Sequence, residues 1–394
     1  MDAGCRPQFD TATGQSFKNL GLPDPFRQIR AHAMTKQNHF LALDALRGVA
    51  AVSVMLFHIS NGWLPCGYLA VDMFFMLSGF VLAFSYEDRL RNRMSFREFL
   101  LRRFIRLYPM IIAGSVAGLF SSIGRYELYH HHIPAYSYIA SFLYSLTILP
   151  QISDTPFGNT IFPLNPVIWS LFFELIANIL YGLFLFKSRL SVLMVIAGSS
   201  LIAIVLIGPV GGYETQNFWA GFPRVGFDFF GGVILYKIYL SNRLPHWRIG
   251  PITLSIALFA IFSIPMAIDG LMLIPILFSF SFIIYSAAHI DKIQKYNSIQ
   301  NLLGAISYPL YALHRPLFPV CLFLLLKLGV DMDRQYPIIV FLSSIMIFAG
   351  SYFVLKLYDE PLRAYLSRKL LKAKASSAKS ESKIASVVKS LADS

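Results

Sequence analysis

Two apolar runs near the start of the chain, Leu41 to Asn61 and Tyr68 to Tyr86, carry ionisable residues inside them and lead into a block of arginines. A stretch of about 20 apolar residues is long enough to cross a bilayer. An arginine or histidine inside such a stretch is expensive there, so it marks a functional site by default rather than a passive anchor. Arg47 and His58 both sit in the first run, eleven residues apart. At about 100° per residue that is close to three helical turns, which puts both on one face, roughly 16 Å apart along the axis. Asp44 lies one turn from Arg47 on the same face.

Further apolar runs follow at Tyr108–Ser122, Ile168–Phe186, Leu190–Ile207, Val225–Leu240, Ile249–Ile268, Leu271–Ala288, Leu302–Leu328 and Tyr336–Leu357. A hydrophobic fraction of 56%, with 35 Phe, 20 Tyr and only 14% charged residues, lies outside the range of a soluble domain. The reading is an all-α polytopic membrane protein of about ten transmembrane helices. Tyr138 to Leu149 is apolar but about a dozen residues long, too short to span, and is read as a re-entrant or interfacial segment.

Basic residues set the orientation. Arg89, Arg91, Arg93, Arg97, Arg102, Arg103 and Arg106 are read as one cytoplasmic loop by the positive-inside tendency. Counting spans from there puts Arg243 with Arg248, Lys292 with Lys295 and the basic end from Arg368 on the same side, whereas Arg224, Lys327 and Arg334 fall at or beyond the outer boundary. The net charge of +13 is therefore assigned to membrane topology rather than to nucleic acid. Residues 1–37 form a polar cytoplasmic segment without the apolar core of a secretory signal, and residues 365–394 a basic, disordered cytoplasmic tail suited to anionic lipid. The expected location is the inner or plasma membrane with both termini cytoplasmic. Cys5, Cys66 and Cys321 have no metal-ligand spacing, and His130, His131 and His132 cannot all face one ion from a regular element, so no metal and no disulfide framework is expected.

Five ordered motifs then stand out. Arg47 and His58 form an Arg, ten residues, His arrangement; Val71-Asp72-Met73-Phe74-Phe75-Met76-Leu77-Ser78-Gly79-Phe80 follows; Arg102-Arg103-Phe104-Ile105-Arg106-Leu107-Tyr108-Pro109 is the third. Trp169-Ser170-Leu171-Phe172-Phe173-Glu174 and Ser307-Tyr308-Pro309-Leu310-Tyr311-Ala312-Leu313-His314-Arg315-Pro316 complete the set, with a closing Glu360-Pro361. In these the chain resembles the acyltransferase-3 family of integral membrane O-acyltransferases over residues 38–364. The resemblance implies transfer of an acetyl or other short acyl group from cytoplasmic acyl-CoA, acetyl-CoA foremost, to a hydroxyl of a glycan or lipid-linked saccharide presented on the far side. The loops are short and no hydrolase-like domain of the kind fused to some members is present, so transfer is expected to finish within the membrane domain or with a partner.

An alcohol is a weak nucleophile at neutral pH, and histidine, with an ordinary pKa near about 6.5, is the side chain best suited to take its proton. His58 is the candidate base; the competing reading is a histidine satisfied by a backbone carbonyl at the membrane interface. Asp72 and Glu174 are rival candidates to orient and stabilise its protonated form, and either is equally at home in a structural pair. Arg47 is either paired to Asp44 as a bridge or lines a cavity where it meets the donor. Arg102, Arg103 and Arg106 have a topological explanation, and their spacing also suits phosphate oxygens of coenzyme A. Trp169, Ser170 and His314 are read as acceptor-binding, with core packing the other reading of His314. The rival from another class is a secondary transporter or permease in which buried Arg47, Asp72 and Glu174 form an ion path. A third is a catalytically silent membrane partner.

Overall fold

The computed structural model describes residues 40–128, 133–208, 211–247, 249–265, 270–290, 297–331 and 334–371. His130 to His132, residues 1–37, the tail from 372, Arg248, Lys292 and Lys295 lie outside the described residues. In chain order the helices are α1 (Leu41–Ile59), α2 (Ala70–Asn92), α3 (Phe96–Leu128), α4 (Ala135–Thr147), α5 (Ile168–Leu183) and α6 (Leu190–Ile207). Then come α7 (Gly221–Ser241), α8 (Pro251–Phe262), α9 (Gly270–Ala288), α10 (Asn297–Lys327) and α11 (Tyr336–Val354). A π-helical turn, Leu355–Asp359, carries α11 into the short α12 (Glu360–Leu366), and a second such turn ends at Leu371. The fold is all-helical.

Among the described residues, six helical stretches are long and apolar enough to cross a membrane: Leu41–Ile59, Gly67–Asn92, Phe96–Arg125, Leu190–Ile207, Asn297–Lys327 and Tyr336–Leu371. The expectation of about ten spans is thus met only in part. Each of the ten apolar runs holds a helix; Ile168–Leu183 and Pro251–Phe262 are short apolar helices, as is the part of α9 from Leu277 to Ala288. The tenth, α7, carries Arg224, Asp228 and Lys237, and it places Arg224 and Asp228 inside protein. The short Ala135–Thr147 helix fits the segment read as too short to span.

The arginine block is not a loop. α3 starts at Phe96 and runs unbroken for 33 residues, so the arginines from Arg97 onward are helical. The cause is legible: Ser95 Oγ accepts a hydrogen bond from the Glu98 N–H at 3.3 Å, the start of a Ser-x-x-Glu capping box. One turn on, Arg102 closes on Glu98 at 2.7 Å.

α10 is the centre of the site-bearing part of the bundle, packed along α1, α3 and α11. Pro309, Pro316 and Pro319 lie inside it. Pro316 has no N–H to give the carbonyl one turn back, and that carbonyl, of Ala312, instead accepts a hydrogen bond of 3.0 Å from the buried Asn165 amide. The second tight crossing is α2 on α7. A Cβ at Gly79 would collide with the Phe229 carbonyl, and one at Gly232 with the Met76 carbonyl, so these backbones touch because neither position has a side chain. At the end of the bundle that holds His58, the loop before α5 and the loop before α7 are stitched together. Ile161 donates to the Tyr213 carbonyl (3.0 Å) and Thr215 to that of Asn159 (2.9 Å).

Candidate active site

Five helices wall one cavity of about 900 Å³: α1 through Arg47, α2 from Val71 to Tyr86, α3 through Arg103, Arg106 and Leu107, α5 through Ser170, Leu171 and Glu174, and α10 through Ser307, Tyr308 and Tyr311. The five sequence motifs each contribute a wall, although they are spread over 260 or so residues of chain.

At one end two of the three arginines are matched by carboxylates. Arg47 Nη2 lies 2.9 Å from Asp44 Oδ1 while still lining the cavity, so the bridge and the cavity wall are both present. Arg103 is buried and its Nη2 donates to Glu174 Oε1 at 2.7 Å. Ser78 Oγ donates to the same oxygen at 2.6 Å, tying α2, α3 and α5 together around one carboxylate. Arg106 also lines the cavity and makes no ion pair or hydrogen bond among the described residues.

At the other end the Tyr311 hydroxyl lies 2.6 Å from Ser170 Oγ, and Phe74 packs edge-on to the Tyr311 ring at 5.3 Å. One turn beyond Tyr311 on α10 stands His314, fully buried, with its ring stacked on His58 at 5.2 Å and 18° between planes. His314 Nδ1 is 3.2 Å from the Leu310 carbonyl, so Nδ1 carries the proton and Nε2 offers a lone pair. That Nε2 is buried and has no hydrogen-bond partner among the described residues. His58 is half-buried, held between His314 and the Phe57 ring at 4.9 Å. His58 does not itself line the 900 Å³ cavity; it reaches it through contact with His314, which in turn abuts Tyr311 at 6.0 Å.

The carboxylates expected beside His58 are engaged elsewhere. Asp72 is buried and gripped by both arms of Arg224, with Nε to Oδ1 and Nη2 to Oδ2 each 2.7 Å. This is the bidentate fork that arginine makes and lysine cannot. The same guanidinium sits 5.3 Å over the Trp169 ring, fixing the residue that precedes Ser170. Glu174 is held by Arg103 and Ser78 as described. Arg102 does not line this cavity and is paired with Glu98.

Arg224 is the buried residue at this site that sequence reasoning passed over, along with Asp228 one turn on, which is fully buried against the Asp72 carboxylate. The signal was there: an arginine after Pro223, four residues from an aspartate, opening an apolar run. Tyr308 and Tyr311 were quoted within a motif but given no role; both line the cavity.

The comparisons fit this geometry. A family model described as an acyltransferase domain matches residues 40–356, which takes in all five helices of the cavity. The chain is similar to "Protein 2 in picA locus" of Rhizobium radiobacter, 32% identical over 179 residues, covering 42% of this chain and 93% of that one. It is also similar to the peptidoglycan O-acetyltransferase of Listeria monocytogenes, 24% identical over 307 residues, 70% of this chain and 49% of that protein. The chain therefore spans about half the length of the Listeria enzyme. No solved structure matches. A cavity walled by the five motifs, and a family match over the same stretch, establish that this chain belongs to the acyltransferase-3 family of membrane acyltransferases.

Proposed function

We propose that the protein is an O-acyltransferase that moves an acetyl or other short acyl group from acyl-CoA to a hydroxyl of a cell-surface or exported glycan, with His58 as general base. The observation that carries this reading is the cavity with two unlike ends: guanidinium groups of Arg47, Arg103 and Arg106 at one, and the Ser170–Tyr311 pair backed by the His58–His314 stack at the other. A phosphate-bearing thioester suits the first end and an alcohol the second.

The arginine end faces the cytoplasm in this reading, because lysine and arginine accumulate on that side. The donor's thioester arm then lies along the apolar wall of Phe74, Phe75, Leu77 and Val81, past Arg47. The acceptor arrives from the histidine end, where Trp169 and Ser170 bind it. The His58 imidazole takes the proton from the acceptor hydroxyl as its oxygen attacks the thioester carbonyl. The tetrahedral adduct collapses with cleavage of the C–S bond, and the departing thiolate takes the proton back from the imidazolium. The products are an ester and free coenzyme A, and His58 is neutral again. Asp72 and Glu174 serve as positioning residues: Asp72, through Arg224, fixes Trp169, and Glu174 fixes Arg103.

The test is His58→Gln in full-length protein, assayed for transfer of labelled acetyl from acetyl-CoA to surface polysaccharide, with the glycan read by mass spectrometry. Undiminished transfer by a folded variant removes His58 from the mechanism. A transporter would instead move its substrate with no acyl-CoA supplied. Its proposed ion path is not favoured by the structure's chemistry, since Arg47, Asp72 and Glu174 are each held in an ion pair.

A further inference from the structure

A second cleft opens at the arginine end, between α3 and the carboxy-terminal helix, with Arg102 and Arg106 on one wall and Glu360, Arg363 and Ser367 on the other. Tyr86 and Arg106 line both this cleft and the 900 Å³ cavity, so the two spaces meet at a waist formed by those side chains. The charges at this junction are not balanced. Arg102 spends Nε and Nη2 on Glu98, leaving Nη1; Arg363 uses Nη2 on Asp359 at 2.6 Å; Glu360 is taken by Lys356 at 2.6 Å. Arg106 has no carboxylate partner among the described residues, and Arg363 Nε is buried without a hydrogen-bond acceptor. Cation-rich spaces with spare guanidinium donors fit phosphate oxygens.

The acyl donor is longer than one cavity and chemically two-part, a mostly apolar pantetheine arm and a nucleotide bearing a diphosphate and a 3′-phosphate. The first cavity has largely apolar walls and the second has arginine on both sides. Resting on the proposed function above, we propose that the nucleotide end of the donor lies in this second cleft, with its diphosphate at Arg106 and its 3′-phosphate held between Arg102 and Arg363. The carboxy-terminal helix is then a wall of the donor site. Arg363 and Ser367 of that helix lie beyond residue 356, where the family match ends.

The experiment uses full-length protein in nanodiscs of phosphatidylcholine alone, titrated calorimetrically with coenzyme A and with 3′-dephospho-coenzyme A. The unaltered protein binds coenzyme A at least tenfold more tightly than the dephospho form. Arg363→Gln removes that preference, weakening coenzyme A about tenfold and leaving the dephospho form unchanged. Ser367→Glu, which sets a carboxylate in the cleft without breaking an ion pair, gives the same result and stands in should Arg363→Gln fail to fold. A variant pair that keeps the preference overturns the assignment while leaving the O-acyltransferase reading intact. An effect of either variant that appears only when phosphatidylglycerol is included reassigns the cleft to a lipid headgroup and overturns it equally. Failure of the unaltered protein to bind coenzyme A at all removes the donor from the parent reading and this one with it.

Discussion

The two ends of the cavity are built on opposite plans. At the arginine end Arg47 has Asp44, and Arg103 has Glu174, whose carboxylate also takes the Ser78 hydroxyl. At the histidine end His314 leaves Nε2 buried without a hydrogen-bond partner among the described residues, and His58 meets the rings of His314 and Phe57. A buried polar atom without a partner costs free energy, so it persists where something transient is to meet it. The contrast separates side chains clamped by a carboxylate before substrate arrives from imidazoles that are completed only by substrate. It also explains why Asp72, the aspartate of the second motif, is not free to serve the histidine: it too is a clamped carboxylate, holding α2 to α7 through Arg224.

The sharpest way to break this comparison is to strip one member of a matched pair. Arg224→Met leaves Asp72 buried and uncompensated, and loss of one partner of a buried pair costs about 3–5 kcal/mol. The expected outcome is a large drop in thermal stability and yield, partly restored in the double variant Arg224→Met/Asp72→Leu. Recovery by the double variant of fold without activity would confirm that the pair is architectural. At the unmatched end the expectation reverses. His58→Gln should fold normally and lose about 10²–10⁴-fold in turnover, the range for removal of a general base. Measured side by side, melting temperature and rate must respond to different variants; if His58→Gln is as unstable as Arg224→Met, the division into halves is wrong.

Smaller effects sharpen the picture. Tyr311→Phe deletes the hydroxyl that meets Ser170 at 2.6 Å; one neutral hydrogen bond is worth about 1 kcal/mol, so turnover should fall several-fold with the donor KM unchanged. A change confined to the donor KM would move Tyr311 to the arginine end. Least affected should be Glu98→Gln, which removes a partly exposed i,i+4 pair with Arg102 worth about 0.3–0.5 kcal/mol. Its melting temperature should hardly move, whereas a large loss would show that the start of α3 depends on that pair rather than on the Ser95 cap.

The sequence carried the walls of this site but not their pairings. Arg47, Arg103, Arg106, Ser170 and Glu174 were all chosen from ordered motifs, and all five line the cavity. What could not be read were partners far apart in the chain. Arg224 and Asp72 are 152 positions apart and Arg103 and Glu174 71, and nothing local to either residue names the other. Helical content was legible from the apolar runs, since all ten are helical, whereas the number that reach the length and hydropathy of a span was not. In α7 the reason is specific. Arg224 reads as a boundary marker in sequence, whereas it and Asp228 are buried inside the bundle. The arginine block was read as a loop because its charge dominated the reading, while the Ser95–Glu98 cap that starts a helix there went unused.

One detail of α10 bears on how such a molecule keeps its geometry while chemistry turns over. A proline's missing donor is a covalent fact, so the carbonyl of Ala312 can never be reclaimed by its own helix at Pro316. The amide of Asn165 therefore has a permanent berth on the strand of backbone that immediately precedes His314. Whatever shifts the segment leading into α5 must drag that histidine turn along or first unhook from it, which makes this loop and the imidazole a single mechanical part.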